Sequence, residues 1–137
     1  MAIIKPFKAL KPKKELAEQV ASRPYDVLNS EEAKKEAAGN NYSFLRITKS
    51  EIDLPDGINT HSQQVYDKAK TNLELFIQNG TLFKEEKPCY YIYQLIMNGK
   101  SQTGLVCVSS IEDYFNDVIK KHEFLHWKRW QHLRTSV

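Results

Sequence analysis

Asn98-Gly99 stands between two runs that alternate in side-chain character, Cys89 to Met97 and Ser101 to Val108. An Asn-Gly pair suits a two-residue type I′ turn, because both central residues of that turn need positive φ. The turn leaves one register. Met97 faces Lys100, Leu95 faces Gln102, Tyr93 faces Gly104, Tyr91 faces Val106 and Cys89 faces Val108. Side chains alternate across a strand, so Cys107 falls on the opposite face from Cys89 and the two cannot form a disulfide. Two cysteines are also too few for a disulfide framework, and reduced thiols suit a cytosolic protein.

The rest of the chain alternates strand and helix patterns. Ile3 to Leu10 reads as a first strand, with Pro6 placing it at an edge or a bulge because proline cannot donate to a ladder. Lys13 to Ser22 reads as a short helix with Leu16, Ala17 and Val20 on one face. Pro24 disfavours α geometry at Arg23, so Arg23 to Val27 is extended or turning. Asn29 or Ser30 can cap a helix whose first turn carries Glu31 and Glu32, and Gly39 can stop it.

Tyr42 to Thr48 alternates well enough for a strand. Glu51 to Thr60, with Pro55, Asp56 and Gly57, reads as a loop. Ser62 to Asn79 is the clearest helix, with Val65, Ala69, Leu73, Phe76 and Ile77 at three- and four-residue spacing before Gly80. Ser110 can cap a short helix through about Asn116. Val118 to Phe124 is a strand or a site loop. The class is α/β or α+β, with a mixed sheet, a central hairpin and about three to four helices.

Charge divides the chain after Phe124. Lys128, Arg129 and Arg134 belong to a tail, 125–137, that has no acid, and the 17 basic residues before it match the chain's 17 acids. The net charge of +3 is therefore a property of the tail, which also holds both tryptophans, Trp127 and Trp130. A neutral body gives little support to nucleic-acid binding. The abrupt change in composition leads to the expectation that residues 1–124 are the front of a longer domain and that 125–137 is foreign to it. At this length one domain is expected. No apolar run approaches the roughly 20 residues of a membrane helix, and the first residues do not resemble a signal peptide, so the expected location is the cytosol with no membrane partner.

Few residues suggest chemistry. His122-Glu123 is the best acid/base or metal-holding pair, although neighbours on a strand point to opposite faces. Asp26, beside Tyr25 on the turn after Pro24, either presents a carboxylate or bonds the local backbone. His61 is expected to be exposed. Tyr90, Tyr91 and Tyr93 can stack bases, but in a hairpin they serve first as β-formers. The chain has no Gly-rich phosphate loop, paired-cysteine metal motif or nucleophile elbow.

Six segments together resemble a family. They are Ile4-Lys-Pro-Phe-Lys-Ala-Leu-Lys-Pro12, Pro24-Tyr-Asp-Val27, Asn41-Tyr-Ser-Phe-Leu-Arg46, Lys87-Pro-Cys-Tyr-Tyr-Ile-Tyr-Gln94, Gly104-Leu105 and Val118-Ile-Lys-Lys-His-Glu123. In order and spacing they resemble the N-terminal part of the bacterial and archaeal domain of unknown function number one thousand and fifteen. Arg23 stands where that family usually has proline, Asn41 likewise, and the pattern is lost after Phe124. Members carry a later Asp-Gly-His-His-Arg motif, absent from this sequence, that likens them to ParB-like proteins and free-serine kinases.

The resemblance implies a ParB-like fold that handles nucleotide or phosphate, with Mg²⁺ as the accompanying ion. It groups Pro24, Tyr25, Asp26, His122 and Glu123 in one site. Pro24 and Tyr25 would contact nucleotide, Asp26 and Glu123 would hold Mg²⁺ or act as base, and His122 would contact phosphate. Three readings follow from it. One is a nucleotide- or phosphate-binding domain, weak without the later motif and phosphotransferase-like in its full form. Another is a partition-type module whose tail contacts DNA. The third is a piece with no activity of its own. The residues set no oligomeric state.

Overall fold

The computed structural model describes residues 1–120. Its class is α+β. The strands do not join in one mixed sheet: among the described residues they form three separate two-stranded antiparallel sheets. Chain contacts divide the molecule into two compact units, residues 9–86 and a unit to which 1–8 and 87–120 belong.

In the 9–86 unit, β2 (Leu10–Pro12) pairs with β3 (Leu82–Lys84). Between them run α1 (Ala17–Val20), α2 (Ser30–Glu36), α3 (Leu45–Thr48) and α4 (Gln63–Gln78), with short 3-10 turns at Lys14–Leu16, Tyr25–Val27 and Ser50–Asp53. Two apolar clusters hold this unit. One joins Leu28, Ala33, Ala37, Leu45 and Ile52. The other joins Val20, Phe76 and Leu82, with Leu16, Phe44, Ile47 and Leu73 packed against it.

The start of α2 follows its sequence signals. Asn29 accepts from the Glu32 amide at 2.9 Å, and Glu32 accepts from the Asn29 amide at 2.9 Å, closing a capping box. Asn29→Ala removes one half of that exchange and should destabilise the unit by about 1 kcal/mol in urea unfolding followed by circular dichroism. Gly39, at φ +74°, reverses the chain just beyond the helix, where a side chain would be strained.

Residues 42–48 do not form a strand. The Arg46 amide bonds Ser43 O at 3.1 Å and the Lys49 amide bonds Leu45 O at 2.8 Å, so the segment coils into α3. Coiling sends Leu45 into the first cluster while Phe44 and Ile47 reach the second. A strand would have placed Leu45 and Ile47 on one face, and packing against two clusters overrides that weak alternation. In α4 the buried positions are Val65, Asn72 and Phe76, and Ile77 is exposed rather than part of the stripe.

In the other unit, β1 (Ile4–Lys5) pairs with β6 (Val108–Ser109), and β4 (Tyr91–Met97) pairs with β5 (Lys100–Val106). The turn residues Asn98 and Gly99 have φ +51° and +74°, as a type I′ turn requires. The register holds from Met97↔Lys100 to Tyr91↔Val106. It stops there, because the N-terminal segment takes the next positions. Cys89 bridges Phe7 and Val108 pairs with Lys5, not with Cys89. Both cysteines are free.

Pro6 ends β1, so the expected strand from Ile3 to Leu10 becomes two short strands, one in each unit. The Ser110 hydroxyl accepts from the Asp113 amide at 3.4 Å and caps α5 (Ile111–Phe115). The Asp113 carboxylate accepts from the Ile3 amide at 2.6 Å. Val118 to Lys120 is irregular. No helix among the described residues is long and apolar enough to cross a membrane.

Candidate functional site

Pro24, Tyr25 and Asp26 form one exposed corner of the 9–86 unit. Pro24 is extended, at φ −55° and ψ 141°, and the chain then closes a single 3-10 turn through Val27 N to Pro24 O at 3.3 Å. The fixed φ of proline prepares that entry. Arg23 anchors the corner to the end of α2. Its Nε donates to Glu36 Oε2 at 2.7 Å and its Nη2 lies 2.5 Å from the same oxygen. The Arg23 hydrogen bond holds the Glu36 carboxyl below the usual carboxylate range. Arg23 therefore clamps the turn.

Tyr25 is 48% exposed. The Asp26 carboxylate makes no hydrogen bond or ion pair among the described residues, so it does not take the local backbone role that turn aspartates usually fill. The corner thus offers an aromatic ring and an uncommitted anion side by side. His122 and Glu123 lie outside the described residues, as does the basic tail. His61 is exposed. Among the described residues, no group of three or more His, Cys, Asp or Glu side chains is placed to hold a metal ion.

A second polar constellation is absent from the expected site. Arg46 pairs with Asp53 and also donates to Asn40 O at 3.0 Å and Ala37 O at 3.1 Å. Asn72 donates to Arg46 O at 2.6 Å and to Asp53 Oδ2 at 2.9 Å. Beside it, Glu51 accepts from Ser30 at 2.9 Å and pairs with Lys49 at 3.2 Å. These partners use one another's hydrogen-bonding capacity, so the constellation holds helices together instead of presenting a reactive group. One sequence signal pointed to it. Asn72 lies seven residues after Val65 and four before Phe76, on the apolar face of α4, where a buried amide needs partners.

The family model described as "Protein of unknown function (DUF1015)" matches residues 4–133. That span includes the corner, His122 and Glu123, and most of the tail. No curated protein and no solved structure matches the chain.

Proposed function

The chain belongs to the DUF1015 family of proteins of unknown function, and on that premise we propose that it binds a nucleotide or another phosphate compound at the Pro24–Asp26 corner. The observation that carries this reading is a half-exposed Tyr25 ring next in sequence to an Asp26 carboxylate that has no partner among the described residues. An aromatic face can stack a base, because every base has a π-face. A carboxylate in contact with water suits Mg²⁺, which keeps several waters and is commonly held by one or two carboxylates together with substrate phosphates. In this reading Pro24 fixes the backbone, Tyr25 stacks, and Asp26 takes the metal–phosphate group. The ParB-like and kinase-like relation belongs to the same proposal.

The test is thermal unfolding with millimolar ATP, CTP or pyrophosphate, each with Mg²⁺. Ligand at ten times its Kd stabilises by about 1.4 kcal/mol, a rise of a few degrees in Tm. Asp26→Asn should abolish that rise for all three ligands. Tyr25→Ala should reduce it for the nucleotides and leave pyrophosphate unchanged. No shift with any ligand overturns the proposal. A shift that survives Asp26→Asn moves the site away from the corner.

A further inference from the structure

Among the described residues, every buried side chain lies between Val20 and Leu82, in the 9–86 unit. None of the side chains described in 1–8 and 87–120 is buried. Among the described residues that unit has a well-paired backbone and no buried cluster. A two-stranded hairpin is marginal in water and needs a covered face to be stable. On one face of this hairpin Ile92, Ile96 and, across the ladder from Ile92, Leu105 are 72%, 71% and 52% exposed. Covering such apolar side chains is favourable, because it takes apolar surface out of water.

The ribbon also lacks the usual protection of exposed strands. Natural edges carry charges and prolines that discourage pairing. From Cys89 to Ser109 there is no proline, and Lys100 is the one charged residue.

We propose that the Ile92–Ile96–Leu105 face docks on the same face of a second copy of this chain across a two-fold axis. A two-fold interface needs a self-complementary patch. A nearly uncharged apolar face meets that need, because apposing two of them sets no like charges together. With Gln94, Ser101 and Thr103 between them, the three apolar residues offer roughly 600 Å² per partner, somewhat under the ~800 Å² of a standard interface, which suits a weak dimer. The expected Kd is on the order of micromolar.

Sedimentation equilibrium of the full chain over about 1–100 µM tests this. The average mass should rise with concentration towards twice the monomer value. Ile96→Lys should hold the mass at the monomer value with an unchanged far-ultraviolet spectrum. Thr103→Arg, a change at an exposed polar position of the same face, should do the same and guards against a misfolded first variant. Tryptophan emission separates the alternatives, because Trp127 and Trp130 are the chain's two tryptophans. A monomer at every concentration whose emission moves to the red in Ile96→Lys would mean that the chain's own tail covers the face, and would overturn the dimer. So would a monomer whose emission does not move.

Discussion

Leu45→Ala should lower the unfolding free energy by about 3–4 kcal/mol. Leu45 has no exposed surface and is the largest of the fully enclosed side chains. Its neighbours in the cluster are Leu28, Ala33, Ala37 and Ile52. Truncation loses the transfer free energy of three carbon groups, about 0.8 kcal/mol each, and leaves a cavity. Two of the four neighbours are alanines, whose single methyl is fixed to the backbone and cannot swing into the gap, and both sit on or beside the α2 backbone, so the site relaxes little. Leu45→Met keeps the volume and should cost less than about 1.5 kcal/mol. Urea unfolding of both variants, followed by far-ultraviolet circular dichroism, reads the difference. Equal losses for the two would show that the cluster is not tightly packed.

Arg46→Ala should cost about 3 kcal/mol. The side chains of Arg46 and Asp53 are 22% and 14% exposed, which puts the pair between a surface ion pair and a dry one and selects the low end of the range for breaking a buried pair. Losing the guanidinium leaves the Asp53 carboxylate and Asn40 O each short of a donor, while Ala37 O keeps the Asn40 amide at 3.1 Å. Asp53 would keep only the Asn72 amide. The cost therefore comes more from stranded partners than from lost attraction. The double variant Arg46→Ala/Asp53→Ala should be less destabilised than the sum of the two single changes, by at least 1 kcal/mol, because the second change removes the stranded charge. Additive losses in urea unfolding would show that the two groups do not act as a unit.

The candidate corner was partly legible. Pro24 announced a turn, and Asp26 stood out as either a backbone partner or a presented carboxylate. Its lack of a partner among the described residues depends on what other segments bring nearby, which no local pattern carries. The Arg23–Glu36 clamp spans thirteen residues and was missed for the same reason. The Arg46–Asp53–Asn72 constellation left one trace, a polar residue on the apolar face of α4.

Local chemistry determined the features whose partners lie within a few residues. The Asn98-Gly99 turn set the hairpin register, because positive φ at two adjacent residues admits few alternatives. Asn29 with Glu32, and Ser110 with the Asp113 amide, set two helix starts through hydrogen bonds spanning three residues. Tertiary structure decided what depends on distant neighbours. It coiled 42–48 into α3 between two clusters and gave Cys89 and Val108 to the N-terminal segment. In each case the local preference was worth less than the burial or pairing it gave up, and those gains come only from residues far away in the chain.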